Sequence, residues 1–395
     1  MLNEKNILLG VTGSIAVYKA VEIARKLTED GANVTVVMTE SACRFVSPTT
    51  FESVSGRPVY TNLFEGYFRH INLVKESHLL IVAPATANTI SKFACGIADN
   101  LLSTTYLVYV GPILIAPAMN SRMYKKPVVQ KNIKELAKSG IIFIGPESGK
   151  LACGEDGIGR MAEVSDIIES VKSALTTKDL TGHNILVTAG PTRESIDPIR
   201  FLSNRSSGKM GFAIATAAHR RGAKATLISG PSALKPPDGV SFIPVENAAD
   251  MRSAVSRNFH KSTSVIMAAA VCDFAPSVTS KSKIPKINNL TINLKETPDI
   301  LKEIGRKKGK RFLIGFAAET GTNIQRAKEK LRDKNLDLIV LNDVTQKGAG
   351  FDFDTNIAAI ITRKGEITKL PLMKKEDLAN IILDRVAGLK KSKNK

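Results

Sequence analysis

The chain has 395 residues, of which 43% are hydrophobic and 24% are charged, a composition typical of a globular protein with about two or three domains. No apolar run approaches the roughly 18 residues of a membrane span, and the N-terminus lacks a signal-peptide pattern, so we expect a cytoplasmic protein without a membrane partner. The formal net charge of +19 suits a nucleic-acid binder, but the lysines are dispersed and the chain has no tryptophan to stack on bases. We therefore expect small anionic substrates and no nucleic acid.

The cysteines and histidines give no sign of a disulfide framework or a zinc site. Cys43, Cys95, Cys153 and Cys272 are far apart, and no C-x-x-C pair occurs. Reduced thiols of a cytoplasmic protein fit this spacing better than the paired thiols of a secreted protein. The five histidines are scattered as well, so no metal cluster is predicted and metal ligands stay unassigned.

Short apolar runs alternate with amphipathic segments in the first half of the chain. We predict strands in NILLGVTGSI (6–15), NVTVVMT (33–39), LLIVAPAT (79–86) and GPILIAPAMN (111–120), and a helix in AVYKAVEIARKLTEDG (16–31). Such alternation is typical of βαβ units, which build a parallel sheet with helices on both faces.

A glycine-rich stretch, GKLACGEDGIGRM (149–161), follows these elements and contains Cys153. Glycine adds chain entropy and contributes no side chain to packing, so we predict a mobile loop here rather than part of a helix or strand. A thiol in such a segment is unusual, because free cysteines are more often buried. The stretch is therefore a candidate lid that closes over a substrate.

The pattern of strands restarts near residue 181, after a helical stretch, VSDIIESVKSALTT (164–177), and a polar connector, TTKDLTGHN. Further strands are predicted in NILVTAGPTR (184–193), AKATLISGP (223–231), SVIMAAAVCDF (264–274), FLIGFAAET (312–320) and LDLIVLND (336–343). We predict two α/β domains, residues 1–178 and 181–395. Each is expected to be a doubly wound, mostly parallel sheet of the Rossmann type.

Sheets of this type bind ligands beyond the carboxyl ends of their strands. Gly13, Ser14 and Ile15 follow the first strand, where a hydroxyl and backbone amides can hold a phosphate at the start of the next helix. Thr39 adds a hydroxyl after the second strand. The turn is not the G-x-G-x-x-G fingerprint of dinucleotide-binding proteins, which argues against an NAD-type dehydrogenase without removing it as an alternative.

The first half also contains three notable motifs: PATANT (84–89), PAMNSRMY (117–124) and the cysteine-bearing stretch. Together they resemble the homo-oligomeric flavin-containing cysteine decarboxylases, and among these phosphopantothenoylcysteine decarboxylase of coenzyme A biosynthesis. The resemblance implies an FMN-dependent decarboxylase. It implies FMN contacts from Gly13, Ser14, Ile15, Thr39, Pro84, Thr86, Asn88, Ser103 and Met119.

The same resemblance implies roles for three residues. FMN oxidises the thiol-bearing carbon of the substrate to a thioaldehyde, from which CO2 leaves, and hydride is returned afterwards. His70, in RHINLVK, is the candidate base, because an imidazole with a pKa of about 6.5 suits proton transfer at neutral pH. Asn120 is expected to bind the substrate carboxylate, and Cys153 to donate the proton in the second half-reaction.

The second half contains a long motif, TAGPTRESIDPIRFLSNRSSGKMG (188–211), and the shorter AAAVCDF, KIPK, GFAAET and LND. Together they resemble phosphopantothenate–cysteine ligase, which in bacteria occurs fused to the decarboxylase and uses CTP to activate its substrate as an acyl-cytidylate. The resemblance implies a CTP site formed by Asp273, Lys283, Phe316, Lys330 and Lys334.

Within this site Asn204 is expected to hold the acyl phosphate intermediate and Lys283 the reacting phosphate, while Asp273 and Phe316 seat the cytidine. The lysines supply the positive charge that gathering several anions requires. Mg²⁺ is expected as a counter-ion of the phosphates, with no ligand assigned. Lys286 has no assigned role, since KIPK stands where some relatives have KIKK.

The resemblance covers nearly the full length of the chain. It implies a bifunctional enzyme that makes 4′-phosphopantetheine from the small molecules 4′-phosphopantothenate, cysteine and CTP. It also implies a homo-oligomer, with trimeric decarboxylase units and dimeric ligase units. Besides the dehydrogenase, a non-catalytic interaction protein with a decarboxylase-like domain is an alternative.

Overall fold

The computed structural model describes residues 2–152, 154–286, 288–319, 323–343, 346, 348, 350 and 352–391. The chain divides into two compact units, Met1–Thr176 and Thr177–Lys395. Each contains a mostly parallel sheet with helices on both faces, which confirms the predicted fold class. Within the described ranges no helix is both long and apolar enough to cross a bilayer.

The predicted strands and helices of the first unit are present. Its strands are β1 (Asn6–Val11), β2 (Asn33–Met38), β3 (Val59–Tyr60), β4 (Leu79–Ala85), β5 (Ile113–Pro117), β6 (Ile142–Phe143), β7 (Glu147–Lys150) and β8 (Asp156–Arg160). Its helices are α1 (Val17–Glu29), α2 (Glu40–Cys43), α3 (Pro48–Ser55), α4 (Arg69–Glu76), α5 (Ala87–Cys95), α6 (Leu101–Val108), α7 (Ser121–Tyr124), α8 (Pro127–Lys138) and α9 (Val164–Leu175).

The main sheet of the first unit is parallel, in the order β3-β2-β1-β4-β5-β6. Side chains of β1 alternate between its faces: Ile7, Leu9 and Val11 pack in a core with α1 and α9, whereas Leu8 packs in a core with α5 and α6. The strand order reverses between β1 and β4. A crevice that can hold a ligand is expected at this point, beyond the carboxyl ends of the strands.

The glycine-rich stretch is not the loop that the sequence predicted, because its two ends form the antiparallel hairpin β7–β8. Two of its glycines allow the backbone of β8 to lie very close to neighbouring residues. A Cβ on Gly159, whose φ is 146°, would lie 2.1 Å from the carbonyl oxygen of Met119, and one on Gly157 would lie 2.6 Å from the hydroxyl of Ser121. The N–H of Met119 donates to the carbonyl of Gly159 (3.0 Å), so β8 docks on the segment that follows β5. Cys153, between the two strands, lies outside the described residues.

We expect Gly159→Ala to destabilise the first unit by about 2–3 kcal/mol, because the new methyl group meets a backbone oxygen and the residue is held at a positive φ. The matched control is Gly154→Ala, at φ 85° with no atom within 4 Å of the added Cβ, which carries the conformational cost alone. Chemical unfolding of both variants measures the difference. Equal destabilisation would show that the close approach of Gly159 to the Met119 carbonyl adds no cost.

The second unit repeats the alternation of strands and helices. Its strands are β9 (Asn184–Ala189), β10 (Arg193–Ser195), β11 (Phe201–Ser203), β12 (Lys224–Ser229), β13 (Ser241–Pro244), β14 (Ser264–Met267), β15 (Phe274–Pro276), β16 (Leu294–Glu296), β17 (Phe312–Glu319), β18 (Leu338–Asp343), β19 (Thr355–Thr362) and β20 (Ile367–Lys374). Its helices are α10 (Lys209–Arg220), α11 (Ala248–Phe259), α12 (Ile300–Arg306), α13 (Ile324–Asp333) and α14 (Lys375–Lys391).

The main sheet of the second unit has the order β13-β12-β9-β14-β17-β18-β19-β20. The strands from β13 to β18 are parallel, and β19 and β20 are added antiparallel. Helices α10 and α14 pack on one face, and α11, α12 and α13 on the other. The strand order reverses between β9 and β14, which again predicts a ligand crevice at the carboxyl ends of these strands.

The outer strand β20, with the sequence ITKLPLMK, is paired with β19 along one side. Pro371 lies in this strand beside a register shift between Asn356 and Ala358 of β19. Lys369 and Lys374 add two charges to the same strand. The strand is thus irregular, charged and interrupted by a residue without an N–H group.

The chain enters the second unit through residues 178–180. Leu180 is fully buried in a core of that unit, and the carboxylate of Asp179 accepts hydrogen bonds of 2.9 and 2.6 Å from the guanidinium group of Arg221. The predicted domains, residues 1–178 and 181–395, are expected to fold independently of each other. These limits stay a prediction. The contacts of Asp179 and Leu180 favour a cut after Thr176, where the compact units divide.

Candidate functional site

In the first unit one buried hydroxyl joins the ends of β1 and β4. Thr12 is fully buried; its Oγ1 donates to the carbonyl of Pro84 (2.7 Å) and accepts from the backbone N–H of Thr86 (3.0 Å). The bond lies where the strand order reverses. The structure thereby brings together two of the segments predicted to contact FMN, residues 13–15 and 84–88.

The hydroxyl groups predicted to contact FMN stand at the starts of helices. Ser14 Oγ accepts a backbone N–H at 3.3 Å just before α1, Thr39 caps α2, and Thr86 caps α5. Helix starts have unpaired N–H groups and a partial positive charge, which suits a phosphate. Ser103 is buried instead, and its hydroxyl belongs to the capping box of α6.

The other predicted FMN residues differ in exposure and include two apolar side chains. Ile15 is 60% exposed, Met119 is half-buried after β5, and Asn88 is exposed on α5. Gly13 leaves no room for a side chain, since a Cβ there would lie 2.5 Å from the Cβ of Ser41. An exposed apolar side chain beside helix starts that can accept an anion fits an aromatic cofactor with a phosphate. The residues present therefore fit FMN.

Asn120 begins α7 and lies against the β7–β8 hairpin. Its Oδ1 accepts from the backbone N–H of Arg122 (2.8 Å), and its Nδ2 donates to the carboxylate of Glu155 (3.4 Å). Arg122 donates to the same carboxylate (2.8 Å). The structure thus places Asn120 beside the hairpin that contains the position of Cys153. Neither Arg122 nor Glu155 was singled out from the sequence, where both resemble solvated charges.

His70 lies on a different element. It is half-buried in the first turn of α4, which packs against α6. Among the described residues no hydrogen bond or ion pair joins His70 to Asn120 or to the hairpin. The role of His70 as the base therefore stays a prediction.

The second unit contains a cavity of about 530 Å³ at the carboxyl ends of β14, β17 and β18, beside the start of α10. It gathers residues from sequence segments more than a hundred positions apart. Its lining includes five residues predicted from the ligase resemblance: Asn204, Asp273, Phe316, Lys330 and Lys334. This gathering indicates one binding site in the second unit.

Lys283 does not belong to the described lining of this cavity, and it is exposed. The following residue, Ile284, donates its N–H to the buried carboxylate of Asp197 (3.2 Å). Burial opposes the charge of Asp197, but the N–H groups of Ile199, Arg200 and Ile284 outweigh burial and hold the pKa of Asp197 below its usual value. The segment with Lys283 is therefore anchored, while the contact of Lys283 with a phosphate stays a prediction.

Two amide side chains of the cavity are held differently. The Nδ2 of Asn204 donates to the carbonyls of Ala270 (3.0 Å) and Val271 (3.2 Å), so this amide fixes the segment after β14. Asn342, from the LND motif, has a buried Oδ1 with no hydrogen-bond partner in the part of the chain that the structure describes. A buried acceptor without a donor indicates that the cavity takes a polar ligand.

Two lysines of the cavity are paired with carboxylates. Lys334 pairs with Asp299 (2.9 Å) and Lys209 with Asp354 (2.8 Å). Burial opposes the charge of Asp299, but Lys334 and the N–H of Lys302 outweigh burial and hold the pKa of Asp299 below its usual value. A phosphate that enters the cavity thus meets two lysines that already have a carboxylate partner.

Lys375, which the sequence analysis missed, lines the cavity at the start of α14 and is 7% exposed. Its Nζ donates to the carbonyls of Gly350 (2.9 Å) and Phe353 (2.6 Å). Burial, and then the charge of Lys209, lowers the pKa of Lys375 to about 8. No sequence signal distinguishes it, because a lysine before an amphipathic helix is usually solvated.

The described residues contain no group of three or more histidine, cysteine, aspartate and glutamate side chains that could hold a metal ion. Cys43, Cys95 and Cys272 are free thiols, and burial raises the pKa of Cys43 and of Cys272. The metal ligands that the sequence left unassigned stay unassigned.

The lowered pKa of Lys375 predicts a specific pH dependence. Between pH 8 and its unfolded-state pKa of about 10.4, the unfolded chain binds more protons at this residue, so stability rises with pH. From pH 7.5 to 9.5 we expect the unfolding free energy of wild type to gain about 1–2 kcal/mol relative to Lys375→Gln. Denaturant unfolding at both pH values measures this gain. The control is Lys374→Gln, at the exposed neighbouring residue, whose unfolding free energy should rise with pH as much as that of wild type. If wild type gained as much relative to Lys374→Gln as relative to Lys375→Gln, the burial of the Lys375 charge would be contradicted.

Comparisons with known proteins cover both units. The family model described as "Flavoprotein" matches residues 1–176, and the model "DNA/pantothenate metabolism flavoprotein C-terminal domain" matches residues 180–389. The chain is 50% identical over 400 residues to the "Coenzyme A biosynthesis bifunctional protein CoaBC" of Bacillus subtilis (strain 168), and 42% identical over 401 residues to the protein of that name from Escherichia coli (strain K12). Both alignments cover 99% of this chain and 98% of the relative.

A solved structure described as the C-terminal domain of the coenzyme A biosynthesis bifunctional protein CoaBC is 42% identical to this chain, with a TM-score of 0.48. The match covers 55% of this chain and 100% of that one. The two family models and the full-length relatives together decide the assignment. The chain belongs to the family of bifunctional coenzyme A biosynthesis proteins, in which a flavoprotein unit precedes a pantothenate-metabolism unit.

Proposed function

We propose that the two units catalyse successive steps of coenzyme A biosynthesis. The second unit joins cysteine to 4′-phosphopantothenate, with CTP converted to CMP and pyrophosphate, and the first unit decarboxylates the product to 4′-phosphopantetheine with FMN. The observation that carries the proposal is the cavity of the second unit, which gathers Asn204, Asp273, Phe316, Lys330 and Lys334 from four separate segments. The full-length similarity to bifunctional relatives supports the pairing of the two activities.

In the ligase half, activation joins the carboxylate of phosphopantothenate to the α-phosphate of CTP, and pyrophosphate leaves. The amine of cysteine then attacks the acyl carbon, CMP leaves, and the amine loses a proton. Both steps bring anions together, so Lys330 and Lys334 are suited to neutralise the phosphates and Lys283 to approach from its anchored segment. Asp273 and Phe316 seat the cytidine.

Mg²⁺ accompanies the phosphates of CTP in this proposal. Magnesium commonly keeps several waters and binds through substrate phosphates rather than in a cage made of protein side chains. The absence of a three-residue metal cluster among the described residues is compatible with this mode of binding.

In the decarboxylase half, bound FMN would supply the oxidation of the thiol-bearing carbon and the later return of hydride. The chain supplies the groups around that carbon. His70 accepts a proton in the first half-reaction, Asn120 binds the substrate carboxylate through Nδ2, and Cys153 donates a proton in the second half-reaction. The bond between Asn120 Nδ2 and the carboxylate of Glu155 supports this role, because the amide already donates to a group of the same kind.

The same proposal includes a cytoplasmic location and a homo-oligomer, with trimers of the first unit and dimers of the second. It also includes independent folding of the two halves. Expressed separately, the first half is expected to be yellow and to release CO2, and the second to be colourless and to ligate. Sedimentation of each half tests the two oligomeric states.

Asn204→Ala is expected to lower the ligation rate by about 10²–10³-fold, because the amide fixes the segment at Ala270 and Val271, beside which the acyl phosphate is held in this proposal. Asn204→Asp is expected to be as damaging, since it loses both donated hydrogen bonds and adds a negative charge beside the phosphates. CO2 release from supplied 4′-phosphopantothenoylcysteine is the internal control and should be unchanged. Normal CMP formation by either variant would remove Asn204 from the site.

Cys153→Ser is expected to oxidise substrate, release about one CO2 per flavin and then stop with bleached FMN, because a serine hydroxyl is far less acidic than a thiol of pKa about 8.5. His70→Asn should behave oppositely and keep its flavin oxidised in the presence of substrate. Flavin absorbance and CO2 release distinguish the two. Near-normal turnover of the serine variant would make Cys153 a bystander, and a flavin that stays oxidised would move it to the first half-reaction.

A further inference from the structure

One carboxylate of the first unit is held by two donors from the start of α7. Arg122 Nη2 donates to Glu155 Oε1 at 2.8 Å, and Asn120 Nδ2 donates to Glu155 Oε2 at 3.4 Å. Each oxygen of the carboxylate therefore has its own donor, one from a guanidinium group and one from an amide. Such a pair is suited to recognise any carboxylate that reaches it.

The orientation of Asn120 is fixed by its own helix. Its Oδ1 accepts the backbone N–H of Arg122 at 2.8 Å as the cap of α7, so the amide nitrogen is the group turned toward the hairpin. The two donors thus come from positions two residues apart on one short, capped element. The backbone positions of the two residues are set by α7, whereas Glu155 comes from the connection between β7 and β8.

The two bonds to the carboxylate of Glu155 are weak enough for another carboxylate to replace it. The side chain of Arg122 is 82% exposed and that of Glu155 is 43% exposed, and ion pairs in such surroundings contribute about 0–1 kcal/mol. The hydrogen bond from Asn120, at 3.4 Å, is at the long end of the range. A carboxylate with further contacts of its own can therefore displace that of Glu155.

We propose that Arg122, together with Asn120, binds the carboxylate of the cysteine-derived substrate, and that Glu155 occupies this place until the substrate displaces it. The inference rests on the proposed function of the first unit, in which Asn120 meets that carboxylate. It assigns Arg122 as a second substrate-binding residue and Glu155 as an internal competitor. The positive charge of Arg122 then favours substrate binding, and the negative charge of Glu155 opposes it.

The test uses the full chain with FMN and two ligands that lack a reactive thiol. One is 4′-phosphopantothenoylserine, which has the carboxylate, and the other is its decarboxylated counterpart, which has ethanolamine in place of serine. Both are titrated into the protein, and dissociation constants are read from the change in flavin absorbance. The measurement reports the first unit alone and needs no turnover.

Arg122→Gln is expected to weaken binding of the carboxylated ligand about tenfold and that of the decarboxylated ligand less than twofold. Glu155→Gln is expected to strengthen binding of the carboxylated ligand about two- to fivefold, because the competitor loses its charge. Arg160→Gln is the matched control, since Arg160 pairs with Glu147 and Glu163 at the base of the same hairpin. It should leave both constants unchanged.

A merely structural role of the ion pair would give a different result, because loosening the hairpin weakens both ligands in both variants. Equal losses for the two ligands in Arg122→Gln, or weaker binding in Glu155→Gln, would overturn the inference. Failure of the proposed function is a separate result: wild type would bind the ligands with the expected preference yet release no CO2 from 4′-phosphopantothenoylcysteine. Wild type that binds neither ligand would overturn both.

Discussion

Both candidate sites depend on the meeting of two strand ends where the strand order of each sheet reverses. In the first unit Thr12 joins the ends of β1 and β4. In the second, Thr188 and Thr192 connect the end of β9 to the segment after β14, by accepting the N–H groups of Ala269 (3.2 Å) and Cys272 (2.9 Å). All three threonines are fully buried, so their hydroxyls rely on such internal partners. These bonds fix the distance between the loops that follow the two strands. The side chains of those loops can then differ between the two units and support different chemistry.

The positions of the strands and of many site residues could be predicted because each signal is local. An apolar run that ends in a turn identifies the carboxyl end of a parallel strand without knowledge of its neighbours. The fold then brings these ends together, which is why Asp273 and Phe316 share one cavity, with Lys330 of α13 beside them, although the sequence separates them. Lys283 shows the limit of this reasoning, since its segment leaves the sheet and only the contacts of Asp197 show where it is anchored.

Other features could not be predicted because distant contacts decide them. Glycine's own preference favours a loop at residues 149–161, but the close approach of Gly159 to Met119 requires glycine in a strand. Likewise, Lys375 and Glu155 resemble solvated charges in the sequence. Their partners are carbonyls near residue 350 and a helix cap more than 30 positions away. In each case the contact partner is distant in the sequence, so the residues next to the position do not indicate it.

The outer strand β20 has a consequence for how copies of the second unit can associate. A regular outer strand offers its free N–H and C=O groups to a strand of another molecule, which leads to open-ended aggregates. Pro371 has no N–H group to donate, the register shift near Asn356 distorts the adjoining ladder, and Lys369 and Lys374 add positive charge that an identical strand would also carry. Association through continuous strand pairing at β20 is therefore disfavoured. This strand therefore favours association through side-chain surfaces, which can close after a fixed number of copies.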